Sequence, residues 1–155
     1  MTTHQTTAQQ ITTSGEPDPN AEAPIVATKV GGAERLDFLP TFFGTRYMLR
    51  GETLVYAWMD RLCEAYAGGS WDFLTLSNGG GFLSLRSDEP MRVTVDSNGF
   101  EGSMSAEAAS IVATLFALCH LCEQSGEDSH IERYHALHDY AAEHAEAASI
   151  YGAID

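Results

Sequence analysis

The chain has 155 residues and is 44% apolar, which is room for one domain around one hydrophobic core. Its formal net charge of −14 comes from 22 acidic and 8 basic residues, and because charged residues make up only 19% of the chain the imbalance reflects scarce cations, with Lys29 the sole lysine. Such a surface repels a phosphate backbone, which argues against a nucleic-acid groove. No basic segment followed by an apolar one opens the chain, and no apolar run approaches the ~20 residues of a membrane span, so a cytoplasmic protein is expected.

Residues 1–30 are rich in Thr and Gln, carry Glu16-Pro17-Asp18-Pro19, and hold almost no large apolar side chain before Ile25. That composition cannot offset the entropy of ordering, so a disordered tail is expected over 1–30 and one domain over 31–155. Leu36, Phe38, Leu39, Phe42 and Phe43 then cluster around Pro40. A short helix ending at Phe38 is expected, because a residue before proline disfavours helical geometry.

Leu54, Val55, Trp58, Met59, Leu62, Cys63 and Tyr66 recur at three- and four-residue spacing, which predicts a helix over 52–67, stopped by Gly68-Gly69. Short apolar runs follow at 71–76, 82–86, 91–95 and 100–104. They are separated by Ser77-Asn78-Gly79-Gly80-Gly81, Ser87-Asp88-Glu89-Pro90 and Ser97-Asn98-Gly99. Asn-Gly is a strong hairpin signal, and Met91, Val93 and Val95 alternate with polar residues. The pattern predicts a small antiparallel meander of three to four strands.

Residues 105–124 are apolar on nearly every face, from Ile111 to Cys122, so this helix should form the spine of the core. Ser105 suits its N-cap and Gly126 its end. A further helix is expected over 130–143, where Ser129 and Glu132 have the spacing of a capping box, and a short last one over about 145–153. The order makes the chain α+β, with about four helices packed on the meander in a single domain.

Few residues suggest chemistry. Cys119-His120-Leu121-Cys122 has a metal or redox spacing, but it lies inside an apolar helix and Cys63 is the remaining cysteine, so core packing is the expectation for all three. His130, His135, His138 and His144 cluster near the C-terminus without the four-residue spacing of a zincin and are expected at the surface or its boundary. The glycine run at 79–81 lacks the lysine of a phosphate loop, and no serine-hydrolase elbow is present. No catalytic, cofactor or metal site is therefore assigned.

Charge is uneven along the chain. Residues 29–92 hold 8 acidic and 7 basic side chains, whereas 93–155 hold 11 acidic ones and Arg133 alone. Helical spacing brings Glu132, Asp139, Glu143 and Glu146 near one face. Together with Asp155 they form the candidate partner-binding surface.

Several segments resemble the ArdB/KlcA family of antirestriction proteins. They include Arg35-Leu-Asp-Phe-Leu-Pro40, Leu54-Val-Tyr-Ala-Trp-Met59 with Arg61-Leu-Cys-Glu64, and Trp71 with Asn78-Gly79 and Gly81-Phe82. Asn98-Gly-Phe100, Met104-Ser-Ala-Glu-Ala108, the run Ile111 to Leu118, Arg133-Tyr-His135 and the ending Ile150 to Asp155 complete the set. The resemblance spans essentially everything after the tail. It implies a non-enzymatic, cofactor-free protein that protects incoming plasmid or phage DNA from type I restriction–modification. The partner it implies is a host restriction complex or another DNA-processing protein. Two other readings stand beside it: an acidic DNA mimic occupying a DNA-binding groove, and a metal-dependent enzyme using the histidine cluster.

Overall fold

The computed structural model describes residues 23–155. Five strands and five helices follow in the order β1 (Ala27–Lys29), α1 (Arg35–Phe43), α2 (Met48–Leu62), β2 (Trp71–Leu76), β3 (Gly81–Leu85), β4 (Met91–Val95), β5 (Phe100–Met104), α3 (Ala106–Ser125), α4 (Asp128–Glu143) and α5 (Ala147–Ile154). The expected α+β class is the observed one.

The strands fall into two sheets. β1, β2 and β3 form one antiparallel sheet in that order, and β4 pairs with β5 in a second. Each hairpin lies where its Asn-Gly turn predicted it, with Gly79 at φ 89° and Gly99 at φ 73°. β1 departs from expectation. Ala27 to Lys29 pair with Leu76 to Leu74, so order begins inside the stretch assigned to the tail. Ile25 and Val30 pack on the core from either side of β1, and this burial offsets the ordering cost that the local composition does not. Residues 1–22 lie outside the described residues.

Helix α3 is the spine. It packs against α2, α4, α5 and β3, and Ile111, Leu115, Leu118 and Leu121 are each at most 1% exposed. Burying side chains of this size stabilises the fold by about 1.5–3 kcal/mol each. Contrary to the expectation that no apolar run nears a membrane span, α3 is long and apolar enough to cross one; its burial in the core accounts for that composition. Ser105 caps it by accepting from the Ala108 N–H (3.1 Å), and Gly126 ends it at φ 64°. Two buried hydroxyls tie α3 in place. Ser110 Oγ donates to the Ala106 carbonyl (2.6 Å) and accepts from the Leu85 N–H of β3 (2.9 Å), while Thr114 Oγ1 donates to the Ser110 carbonyl.

Helices α1, α2 and α4 differ in their boundaries from the sequence reading. α1 continues through Pro40 to Phe43. Proline removes one N–H, but continuing the helix buries Phe42 and Phe43, worth more than one exchanged hydrogen bond. α2 starts at Met48 and takes in Gly51, whose lack of a side chain lets the helix close onto the Phe43 ring. It ends at Leu62, well before Gly68-Gly69, because the Cys63 backbone turns extended and Tyr66 folds back to accept from Trp71 Nε1 (3.3 Å). α4 starts at Asp128, so Ser129 lies in its first turn and the expected capping box does not form.

Candidate functional site

The acidic surface was expected on the last two helices, and the structure divides it. Glu132, Asp139 and Glu143 are exposed on α4, at offsets of seven and eleven residues that return to one helical face. Glu132 and Asp139 have no ion-pair or hydrogen-bond partner among the described residues. Glu143 accepts from the Ile25 N–H (2.9 Å), holding the segment before β1. Glu146 is not on that face. It precedes α5 and turns inward, where its carboxylate accepts from the Ser105 N–H (2.8 Å) and hydroxyl. Burial alone would push its carboxyl up, but those two donors outweigh it and hold the group below its ordinary range. Its work is to tie α5 to the start of α3. Asp155 is exposed at the chain end.

The α4 face is spare beside duplex DNA. Eleven residues of helix advance about 16 Å at 1.5 Å each. Duplex DNA carries about one charge per 1.7 Å, hence about ten over that length. Glu132, Asp139 and Glu143 supply three. Arg133, next to Glu132, turns away to donate to the carbonyls of Gly79 and Thr41, joining α4 to the β2–β3 turn and to α1.

The histidines do not converge. His130 is fully buried, contrary to the expected surface position. Its Nε2 lies 2.8 Å from the Phe43 carbonyl and its Nδ1 2.7 Å from Ser125 Oγ. His138 packs its ring against Tyr151, whose hydroxyl donates to the His138 carbonyl (2.8 Å). His144 Nε2 is 3.0 Å from Glu107. Among the described residues no three of His, Cys, Asp and Glu are placed to hold a metal ion. The cysteines also differ from expectation: Cys63 is buried, but Cys122 is half-buried and Cys119 exposed on the outer side of α3. Burial pushes the Cys63 thiol up to about 11.

The apolar cluster around Pro40 was expected to pack onto the domain as a clamp, and it does; the partners it packs against were not foreseen. Arg35 donates to the Trp71 carbonyl (2.6 Å) and lies 4.2 Å above the Phe73 ring, on which Phe38 stacks at 4.8 Å. Phe42 continues the stack at 5.2 Å. Tyr56 bridges from α2, its ring 5.0 Å from Trp71 and its hydroxyl donating to Glu52 (2.7 Å). Beside this stack lies a cleft of about 230 Å³ between α1 and the β1–β2 face. The five aromatic residues at 38, 42, 56, 71 and 73 were the available signal, but their convergence depends on β1 and α1 closing over the sheet.

What emerges is an acidic α+β domain in which Arg133, Glu143, Glu146 and His130 brace the fold. Residues 64–155 match the family described as antirestriction protein. Two Escherichia coli proteins named antirestriction protein KlcA are 56% and 53% identical to it, over 89% and 86% of this chain and 99% and 97% of theirs. An uncharacterised Escherichia coli K12 protein, YafX, is 41% identical over 86% of this chain and 90% of its own. A solved structure from work on KlcA and ArdB superposes with a TM-score of 0.80 at 51% identity, covering 87% of this chain and 98% of that one. That work describes a novel fold and antirestriction activity against type I DNA restriction systems in vivo but not in vitro. The chain belongs to the antirestriction protein family.

Proposed function

We propose that this antirestriction protein shields incoming plasmid or phage DNA from type I restriction inside the cell, through contact with a protein of the restriction or DNA-processing machinery and without catalysis. The observation that carries the mechanism is the α4 face. Three carboxylates over about 16 Å, where DNA would present about ten charges, form a patch that a basic protein surface can recognise and a poor copy of a duplex. Glu132 and Asp139 are the contact residues of this reading, joined by Asp155, because all three are exposed and enter no ion pair among the described residues. Glu143 and Glu146 act through the fold. The solved relative's activity in vivo but not in vitro is consistent with a target that needs the cellular assembly.

The test has two arms. Unmodified phage are plated on a type I restricting host with and without the protein; higher plating efficiency with it is expected, and equal restriction overturns the proposal. A purified type I enzyme is then assayed with excess protein. Undiminished cleavage is expected, whereas stoichiometric inhibition relieved by added competitor DNA favours mimicry instead.

A further inference from the structure

We infer that the cleft between α1 and the β1–β2 face is an anchor pocket for one aromatic side chain of a partner protein, presented in an extended segment next to a basic residue. Its volume, about 230 Å³, is below the roughly 300–1,000 Å³ of pockets that enclose a drug-sized ligand. It suits one side chain. The floor is lined by Phe38 and Phe42, 5% and 4% exposed and packed on each other at 5.2 Å, so an aromatic guest meets two closely packed rings. The opposite wall carries Thr28 and Thr75, which face each other across β1 and β2.

Charge at the mouth selects the neighbour. Glu34 and Asp37 line the cleft, are exposed, and enter none of the ion pairs among the described residues. The two cations at the cleft are engaged: Lys29 with Asp72 (3.3 Å), and Arg133 with the Gly79 and Thr41 carbonyls. Arg133 keeps its charge, since carbonyls do not neutralise it, but the two unpaired carboxylates outnumber this one unpaired cation, and the net negative charge favours Lys or Arg beside the aromatic residue. The backbone supplies a rail. Val26 and Val30 bond to β2 through the Ser77 N–H and the Phe73 carbonyl, so by antiparallel alternation Ala27 and Lys29 direct their N–H and C=O groups outward, open to an added strand. Residues 1–22 of this chain contain no Phe, Tyr or Trp, which points to a partner as the source of the guest.

The pocket can be tested with the full chain and capped dipeptides, independently of any antirestriction readout. N-acetyl-Arg-Trp-amide at millimolar concentration should shift the backbone amide resonances of Thr28, Thr41, Thr75 and Gly80 in a two-dimensional NMR spectrum. N-acetyl-Arg-Ala-amide should shift none of them. N-acetyl-Glu-Trp-amide should bind about three- to fivefold more weakly, the size of an exposed ion pair. Thr41→Trp, which fills the cleft from an exposed helical position, should abolish the shifts, and Glu34→Gln with Asp37→Asn should erase the preference for Arg over Glu. The inference is overturned if the Arg-Trp probe leaves these amides unmoved, if the Arg-Ala probe moves them equally, or if a folded Thr41→Trp protein binds as before.

Discussion

His130 and Phe43, 87 residues apart in sequence, are joined by a 2.8 Å hydrogen bond between the buried imidazole Nε2 and the carbonyl that closes α1. The ring's Nδ1 lies 2.7 Å from the Ser125 hydroxyl, so one imidazole serves both neighbours. The bond fixes α4 against α1, and α1 roofs the aromatic cleft. His130→Ala should cost about 2–5 kcal/mol, combining a cavity with an orphaned buried carbonyl. His130→Phe leaves no cavity, its ring being somewhat larger than the imidazole, and orphans the same carbonyl, for about 1–3 kcal/mol. Urea unfolding monitored by circular dichroism would order the three proteins; equal stability of the Phe variant and the parent would show that the hydrogen bond contributes nothing.

Gly51 is a second point on the same seam. A Cβ at this position would lie 2.4 Å from Cγ of Phe43, whose ring is 1% exposed and enclosed. Alanine normally favours a helix interior by about 1 kcal/mol over glycine. Here the overlap, at about 1–3 kcal/mol of overpacking, should win. Gly51→Ala is therefore expected to lower the melting temperature by a few degrees, and a rise would mean that Phe43 has room to move.

The acid limb of stability should report Asp72. Hydrogen bonding from Arg86 (2.6 Å), and then from Lys29, holds this carboxyl below its usual range against a smaller opposing effect of burial. A depressed folded value stabilises above the unfolded carboxyl's range and is lost as pH falls through the folded value. Asp72→Asn should thus be slightly less stable than the parent at pH 7, with the gap closing below about pH 4. Glu146 adds a loss of the same sign. Thermal melts of parent and variant across pH would show the convergence; a gap that widened in acid would contradict it.

The cysteines give a kinetic reading of the same packing. Burial raises all three thiols, Glu123 adds to it at Cys119, and Cys63 is carried to about 11. Access then decides the order. A maleimide at neutral pH should modify exposed Cys119 first, Cys122 more slowly, and buried Cys63 on unfolding. Rates at the first two should still climb above the ordinary thiol range of pH. Peptide mapping by mass spectrometry would read the order, and early labelling of Cys63 would mean that the core opens at α2.

How far the sequence could be read depended on how local each signal was. α3 was legible because Ser105, Gly126 and the apolar residues between them all lie within the element. The hairpins were legible through Asn78-Gly79 and Asn98-Gly99. β1 was not, since Ala27 to Lys29 become a strand by pairing with Leu74 to Leu76, far along the chain. The same holds for Gly51, which lay outside the helix expected over 52–67 but is recruited by Phe43, and for His130, whose partners come from α1 and the end of α3. In the candidate site, spacing placed Glu132, Asp139 and Glu143 correctly on one face. Glu146 left it because α4 ends at Glu143 and the chain turns at His144, where helical spacing no longer applies.

That division of the acidic residues makes the partner face testable without unfolding the protein. Glu132 and Asp139 are exposed and free of side-chain partners, so Glu132→Gln with Asp139→Asn should leave the melting temperature within about a degree, as exposed substitutions usually do. Two rim charges worth about 0.5–1 kcal/mol each would weaken a contact about tenfold. Protection of unmodified phage should fall accordingly on a restricting host. A control must remove the same charge elsewhere: Glu64→Gln with Asp96→Asn changes two exposed acids on the loops after α2 and between β4 and β5. If both double variants lose protection equally, net charge matters and the face does not. If neither loses any, α4 is an ordinary solvated surface and the contact lies elsewhere. Glu146→Gln separates the third case. It turns one of the two oxygens that accept from Ser105 into an NH2 donor and removes the charge that strengthens both bonds; this should cost about 1–3 kcal/mol of stability, so any loss of protection it causes should track a lower melting temperature, as the α4 variants should not.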